Sequence, residues 1–311
     1  MHTLGFASRR RVQAILELLE SRGGLLKVTG KKYQKQGQAN LYWASDALRE
    51  QLIWIGLQTM APSSFSMPFL RINDPEGSAK NFVWPTDHED YLDMQTINEF
   101  AKDQEWAMKS AIQLVFKHDP FRAGRLHTPF QNLPSRKYKI RINTQINGNP
   151  ICEVDFNANH LRLNLAFNGG VDAGESPYED IGEAAGGLSR DTVKSFITIA
   201  MGANEKKQAA SSASLKGING EQFTRLTEAA LKVFPKLELF SGWGLYAQNL
   251  EGQILKQVML EGVKKDIVCL PVHDAVAVQQ ERLEWAKDTM LECWDRQMET
   301  TGLARVKVDL P

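Results

Sequence analysis

The chain has 311 residues, and because 37 Lys and Arg balance 37 Asp and Glu, its formal net charge at pH 7 is zero. Hydrophobic residues make up 42% and charged residues 24%, which is ordinary for a soluble globular protein. No apolar run of about 18 residues occurs, so no membrane span is predicted.

The cysteines also restrict the class of protein. There are three, Cys152, Cys269 and Cys293, and they form no CxxC pair. A zinc site or a disulfide framework is therefore not expected, whereas a reducing compartment is. The N-terminus lacks the apolar core of a signal peptide. We expect a cytoplasmic protein with no membrane partner.

The first 60 residues predict a small module of helices and a hairpin. Residues 9–22 have amphipathic helical spacing, and Gly23-Gly24 ends the helix. Residues 25–28 and 40–43 predict the two strands of a hairpin. Ser45-Asp46 can cap a further helix at 47–58.

A helix followed by a basic hairpin is typical of a winged-helix module. Residues 1–60 carry nine Lys and Arg against four Asp and Glu. We therefore expect a winged-helix-like, nucleic-acid-binding subdomain in which the predicted hairpin tip contacts primer–template DNA through Lys31, Lys32 and Lys35. The alternative is an accessory subdomain that only packs on the main body.

Residues 61–120 predict a linker followed by a helix. Residues 61–90 are rich in Pro, Ser, Asn and Asp. Residues 93–117 have helical spacing, and Asp119-Pro120 ends that pattern. We assign the segment to a linker and a thumb-like helix.

The remainder, 121–311, predicts mixed helix and strand. Residues 137–143 and 151–155 alternate as strands, with a turn at Asn147–Asn149 between them. The fold class is α+β, a small antiparallel sheet backed by long helices. Later segments predict helices at 159–167, 190–201, 221–233, 243–263 and 281–300, a loop at 169–187 and a hairpin at 268–278.

A basic stripe lies in the middle of the chain. Residues 121–152 contain six Lys and Arg and no acidic residue. Such a stripe is either a footprint for phosphate or a solvated strand edge, and both readings stay open. Within it, residues 124–134 are too rich in turn residues for a regular element, and they offer Arg, Gln and Asn side chains that can bond base edges or sugars.

Two aspartates end apolar strands more than a hundred residues apart. They are Asp155, after Ile151-Cys152-Glu153-Val154, and Asp274, within Val272-His273-Asp274. A carboxylate at such a place is costly unless it is paired. If the two converge, they can hold a pair of divalent cations about 3.5–4 Å apart, as nucleotidyl transfer requires. Strand-end aspartates are also common as turn residues.

The helix at 190–201 carries two cations on one face. Arg190 and Lys194 are four residues apart, with Ile197 and Met201 continuing the face. Like charges at this spacing repel each other and destabilise the helix, whereas an anionic ligand bound above them makes the same pair stabilising. Two cations in line suit a polyphosphate, although two solvated cations are the simpler alternative.

Taken in order, these motifs resemble those of family A DNA polymerases. In that family a Gly-Arg-Leu segment leads to Gln-Asn-Ile/Leu-Pro, a strand ends in the first metal-binding Asp, a helix reads Arg-x-x-x-Lys, and a hairpin reads Val-His-Asp. This chain presents Gly124-Arg125-Leu126, Gln131-Asn132-Leu133-Pro134, Asp155, Arg190 with Lys194 and Met201-Gly202, and Val272-His273-Asp274. The resemblance covers about residues 120–300. Phage-type single-subunit RNA polymerases share the same palm.

The resemblance implies roles for individual residues. Asp155 and Asp274 resemble the catalytic metal ligands for two Mg²⁺ or Mn²⁺ ions, with the carbonyl of Phe156 as an extra ligand. On the nucleotide side it implies Arg190, Lys194, Met201 and His160. For the primer and template it implies Arg125, Gln131, Asn132, Glu251 and His273.

The chain also departs from the family pattern. Ala275 follows His-Asp where the DNA polymerases carry Glu, and Met201-Gly202 stands near the family's Tyr-Gly. His160 stands where the DNA enzymes have a Glu that helps exclude the ribose 2′-hydroxyl. The choice between dNTP and NTP therefore stays open.

The resemblance implies a polymerase palm at 121–311 with short fingers at about 189–234 and no proofreading exonuclease. The N-terminal third, which it does not cover, resembles small open reading frames of phages and mobile elements, so a minimal version is expected. The leading hypothesis is a small DNA polymerase that uses nucleoside triphosphates and a primed or single-stranded DNA template. Such an enzyme should be poorly processive without a replication partner or clamp. Alternatives are a single-subunit RNA polymerase or primase-like enzyme, a metal-dependent nuclease or other phosphotransferase, and a non-catalytic regulator of replication or transcription.

Overall fold

The computed structural model describes residues 9–28, 41–48, 69–73, 79–80, 88–135 and 139–311. The chain divides into two compact units, residues 1–62 and residues 63–311. None of the helices in these described stretches has the length and apolar character needed to span a bilayer.

The first unit contains one helix and a hairpin. Helix α1 is Arg9–Ser21, and strands β1 (Leu25–Val28) and β2 (Leu41–Ala44) pair antiparallel. Ser45 Oγ accepts a hydrogen bond from the Leu48 backbone N at 3.2 Å, as a helix cap does. The predicted tip with Lys31, Lys32 and Lys35, and residues 49–58, lie outside the described residues, so the winged-helix interpretation stays a prediction.

The second unit begins with a four-stranded sheet and a helix. The strands are β3 (Leu70–Asn73), β4 (Ala79–Lys80), β5 (Gln113–Lys117) and β6 (Asp119–His127), in the order β4-β3-β5-β6. Strands β3 and β5 are parallel and the other neighbours antiparallel. Helix α2, Glu89–Lys102, begins at His88, whose Nδ1 accepts from Asp90 N.

The predicted helix at 93–117 is wrong in its second half. Helix α2 ends at Lys102, and residues 113–117 are strand β5. The side chain of Asn98 bonds both the carbonyl and the N–H of Ile112, at 2.9 and 2.8 Å, and so fixes the start of the extended segment against the helix. Pairing with β3 then overrides the local helical spacing, because strand formation depends on partners distant in sequence. The helical part of this segment is therefore α2 alone, and its thumb-like role stays a prediction.

A second sheet carries the two aspartates. Its strands are β7 (Gln145–Ile146), β8 (Asn149–Phe156), β9 (Leu270–Val272), β10 (Ala275–Gln279) and β11 (Val306–Asp309). The order is β11-β8-β10-β9, every pair is antiparallel, and β7 pairs with β8. Asn147 and Gly148 both have positive φ, 50° and 78°, which confirms the predicted turn.

Further helices contribute many of the buried apolar residues of the core. They are α3 (Asn159–Phe167), α4 (Pro177–Ala184), α5 (Arg190–Gly202), α6 (Lys206–Ser214), α7 (Gly220–Val233), α8 (Gly244–Lys264) and α9 (Leu283–Met298). Five of them were predicted from spacing. The loop expected at 169–187 contains α4, whose first residue is Pro177, a favoured helix start.

Two further expectations in the basic stripe are wrong. Residues 140–143 form turns rather than a strand, because Arg141 is drawn inward to a buried acidic partner, Glu153. Strand β6 continues through His127, so the first part of the segment 124–134 is regular rather than irregular.

Helix α8 fixes the position of its neighbours by two close contacts. Gly252 lies directly against the carbonyl of Gly124 on β6, leaving no space for a side chain. Further along, the buried Lys256 ammonium pairs with Asp90 at 2.6 Å and Asp93 at 2.7 Å, which ties α8 to α2. A buried charge is tolerated here because it is fully paired.

Candidate active site

The hairpin β9–β10 and strand β8 bring the two predicted aspartates to the same end of the sheet. Asp155 pairs in register with Ala275, the residue that follows Asp274. The Phe156 N–H points to the Asp274 carbonyl at 3.4 Å. Asp155, Phe156 and Asp274 all line one cavity of about 970 Å³. Two residues 119 positions apart thus share one site.

The turn that presents Asp274 is strained. Val272 pairs with Ala275, so the turn consists of His273 and Asp274 alone, and His273 has a φ of 58°. A non-glycine residue in this region costs about 1–3 kcal/mol, and such residues concentrate at functional sites. His273 lines the cavity, and burial lowers its pKa, with Arg125 and Arg141 adding to the effect.

The environment of Asp274 opposes its negative charge. Burial raises the pKa of Asp274 to about 7, and repulsion from Glu251 and Asp155 contributes. A cation placed between the carboxylates would offset both effects. Burial of Asp274 beside Glu251 and Asp155 is unfavourable without a cation, as expected at a site that binds a positive ligand.

The donor set fits Mg²⁺ or Mn²⁺ with few protein ligands. Asp155 Oδ1 is buried and lacks a hydrogen-bond partner among the described residues, while Oδ2 contacts Lys307 Nζ at 2.8 Å. Within that same part of the chain no group of three or more His, Cys, Asp or Glu side chains is arranged around one point. Two carboxylates are nevertheless sufficient for Mg²⁺, which keeps water and substrate oxygens as its other ligands.

A buried carboxylate joins three elements beside the aspartates. Glu251 on α8 is fully buried. Its Oε1 lies 2.9 Å from Arg125 Nε on β6, at an angle outside that of a regular hydrogen bond, and its Oε2 lies 3.0 Å from His160 Nε2 on α3. Asn159 Nδ2 also donates to Oε2, at 3.3 Å. Burial alone would raise the pKa of Glu251, but His160 and Arg125 hold it below its usual value.

These contacts bear on the role expected for Glu251. Its two oxygens are engaged by Arg125, His160 and Asn159. Arg125 and His160 remain 30% and 23% exposed and line the cavity. Glu251 lines the cavity as well, but its side chain is only 1% exposed, and its expected contact with a template strand stays a prediction.

Helix α5 places cations on the cavity wall. Ser189 caps it through Thr192 N, and Arg190 and Lys194 are exposed and line the cavity. Arg190 Nε pairs with Glu179 Oε1 at 3.1 Å, and its guanidinium lies 5.5 Å from the ring centre of Tyr178. These two contacts orient the guanidinium.

The face of α5 that carries Arg190 and Lys194 borders the cavity in its first half and is buried in the core at its end. Met201 is 1% exposed, belongs to the core and does not line the cavity, so its position does not support a nucleotide contact. Thr198 does line it, one turn beyond Lys194. The spacing 190, 194, 198 was a usable signal for that residue.

Gln131 and Asn132 lie away from the cavity lining. Gln131 is buried and its Nε2 lies 2.9 Å from His127 Nδ1, whereas Asn132 is exposed. Burial lowers the pKa of His127 to about 4, helped by the charges of Arg71 and Arg125, so the ring is neutral and can accept from Gln131.

A buried ion pair that sequence reasoning missed holds this segment. Arg141 forms a two-pronged contact with Glu153, Nε to Oε1 at 2.7 Å and Nη2 to Oε2 at 2.8 Å. Its Nη1 donates to the carbonyls of Gln131 and Leu133 at 3.0 and 3.4 Å. The acidic Glu153 inside an apolar strand was the available signal, because such a residue requires a partner. Part of the basic stripe is thus internal.

Similarity to known proteins is found among solved structures. No protein-family model matches the chain, and no curated protein matches it. Among solved structures, the chain is similar to the POL domain of Pol1 from M. smegmatis in complex with DNA primer-template and dNTP, with a TM-score of 0.43 and 13% identity. The match covers 70% of this chain and 50% of that one, so this chain spans about half the length of the solved chain.

Proposed function

We propose that this protein is a template-directed nucleotidyltransferase, most simply a small family A-like DNA polymerase without a proofreading exonuclease. One observation carries the proposal. Asp155 and Asp274 lie at adjacent strand ends and share one cavity with the cationic residues Arg190 and Lys194 of α5. Carboxylates for metal and cations for a polyphosphate are the two requirements of phosphoryl chemistry on a nucleoside triphosphate.

The residues would divide the work as follows. Asp155 and Asp274 would hold the Mg²⁺ or Mn²⁺ ions, whose chemistry when bound is to activate a hydroxyl and neutralise a leaving pyrophosphate. Arg190 and Lys194 would bind the triphosphate oxygens by charge-assisted hydrogen bonds. Arg125, His160 and His273, which also line the cavity, would position the primer end and the sugar.

In this reaction the primer 3′-hydroxyl loses its proton to solvent and its oxygen forms a bond to the α-phosphorus. The bond from that phosphorus to the oxygen that bridges to the β-phosphorus breaks, and pyrophosphate leaves with the electron pair. The protein's contribution is positioning and charge neutralisation rather than covalent chemistry. The two cations Arg190 and Lys194 on the cavity wall favour this proposal over a nuclease, because a nuclease has no triphosphate for them to hold.

The alternative of a single-subunit RNA polymerase or primase-like enzyme uses the same residues. His160 at the cavity wall is compatible with either sugar, since an imidazole can bond a hydroxyl. A non-catalytic regulator is less well supported, because it gains nothing from burying Asp274 beside Asp155 and Glu251.

The decisive experiment measures nucleotide incorporation on a primed and on a bare DNA template, with dNTPs or NTPs supplied separately and Mg²⁺ or Mn²⁺ present. We expect Asp155→Asn and Asp274→Asn each to abolish incorporation while DNA binding changes little. Lys194→Ala should lower kcat/KM for the nucleotide by about tenfold or more, the value of one charge-assisted hydrogen bond.

Asp288→Asn is the matched control, because Asp288 is exposed on α9 and does not line the cavity. That variant should retain full activity. An active Asp274→Asn enzyme would remove the metal assignment, and an unchanged Lys194→Ala enzyme would move the triphosphate elsewhere. The nucleotide that is incorporated, and the template that supports it, decide between the DNA and RNA alternatives.

A further inference from the structure

We propose that Lys307 is a built-in counter-ion of Asp155 that competes with the divalent cation and thereby weakens the affinity of the site for metal. The inference rests on the proposed function, since it concerns the same carboxylate. Lys307 was not among the residues expected from the sequence. It enters the site only because β11 folds back along β8.

The pairing geometry places the ammonium on the metal-binding face. Lys307 is the direct antiparallel partner of Asp155, and directly opposed residues project to the same side of a sheet. Lys307 Nζ lies 2.8 Å from Asp155 Oδ2, and both residues line the cavity. The side chain of Lys307 is 52% exposed and that of Asp155 is 22% exposed. One of the two oxygens of the proposed ligand is thus already occupied by a cation.

An ammonium and a divalent cation repel each other when both contact the same carboxylate. Mg²⁺ requires carboxylate oxygens at about 2.0–2.1 Å with near-ideal geometry, and it would repel a positive charge held on the other oxygen of the same group. A single cation is enough to neutralise Asp155, so binding the metal and the Lys307 ammonium together adds little stabilisation. Binding of the metal should therefore displace the ammonium.

The surroundings allow Lys307 to leave. It lies on the edge strand of the sheet and carries a flexible four-carbon stem. Asp309, two residues further on and hence on the same face of β11, also lines the cavity. Its carboxylate already acts favourably on the Lys307 charge. The displaced ammonium thus has a second acidic partner on its own strand.

The test measures binding of Mn²⁺ to the 311-residue chain without DNA or nucleotide, and the electron paramagnetic resonance signal of free Mn²⁺ is the readout. Lys307→Gln should bind Mn²⁺ about three- to fivefold more tightly, the factor that matches the loss of one exposed ion pair. Lys307→Arg keeps the charge and should stay near the wild-type affinity. Asp155→Asn identifies the binding that belongs to this site.

Lys194→Gln is the matched control, because it removes the same charge from the wall of the same cavity. It should tighten binding less than Lys307→Gln does. Equal tightening in the two variants would mean that any lost positive charge in the cavity favours Mn²⁺, and it would overturn the proposed competition. Unchanged or weaker Mn²⁺ binding by Lys307→Gln would overturn it as well. Absence of any Asp155-dependent Mn²⁺ binding in all proteins would instead remove the metal site, and the proposed function with it.

Discussion

Glu251 holds together side chains from two other elements at the wall of the cavity. It is fully buried within α8, yet it connects β6 through Arg125 and α3 through His160 and Asn159. Its partners project into the cavity and share a single anion, so their positions depend on each other. The carboxylate is a positioning residue in this arrangement.

Replacing Glu251 should therefore destabilise the fold as well as the site. We expect Glu251→Ala to lower the free energy of unfolding by about 3 kcal/mol, because it leaves Arg125 and His160 without a partner; their partial exposure keeps the loss at the lower end of the range for broken buried pairs. Glu251→Gln keeps the volume and some hydrogen bonding and should lose less. Urea denaturation followed by tryptophan fluorescence measures both.

The control for this prediction is Glu284→Ala on α9. Glu284 is 73% exposed and pairs with Lys287 on the same helix surface, so its removal should change stability by about 0.5 kcal/mol or less. If Glu251→Ala unfolded at the wild-type urea concentration, the contacts of the buried carboxylate would not contribute to the folded state.

At the scale of whole elements, the contact between α8 and β6 sets the distance between Glu251 and Arg125. A side chain at Gly252 would meet the carbonyl of Gly124, which is backbone and cannot rotate away. Gly252→Ala should therefore lower the free energy of unfolding by about 1–3 kcal/mol, even though alanine favours helix by about 1 kcal/mol. The measurement is again the urea denaturation curve.

Gly220 provides the matched substitution for that test. It is the first residue of α7, and a side chain there would meet no atom within 4 Å. Gly220→Ala should be neutral or slightly stabilising. A Gly252→Ala protein as stable as Gly220→Ala would mean that α8 can move away from β6 at little cost.

Whether an element could be predicted from the sequence depends on whether the interactions that form it are local or distant along the chain. Helices α5, α7 and α8 and the turn at Asn147-Gly148 are encoded by local spacing and turn chemistry, and they were predicted. Residues 113–117 were misread as helix, because their conformation depends on pairing with β3, which carries no local signal.

The same distinction between local and distant interactions applies to the residues of the candidate site. The ordered motifs predicted Asp155, Asp274, Arg190 and Lys194, which line the cavity, but they included Met201, which does not, and missed Thr198, which does. They did not predict Lys307, whose position depends on β11 pairing with β8, nor the pair Arg141–Glu153. A pattern of spacing cannot show which distant side chain will neutralise a buried charge.

For the molecule as a whole, zero net charge means that any attraction to DNA must come from local distribution. The first 60 residues have an excess of five basic over acidic residues, nine against four. Local basic regions are sufficient for non-specific binding, since phosphate contacts act over short distances at physiological salt.

This distribution predicts how salt should affect DNA binding. Replacing Lys31, Lys32 and Lys35 together by Gln should make the slope of log K against log salt less steep by about one to three, since each lost phosphate contact removes about 0.9. Fluorescence anisotropy of a labelled primer–template at several salt concentrations gives the slope. A control protein carries the same substitutions at three lysines of the second unit that do not line the cavity, Lys264, Lys265 and Lys287. Equal slopes in the two variants and the wild type would mean that the predicted hairpin tip does not contact phosphate, and the DNA would then have to be held by the cationic wall of the cavity alone.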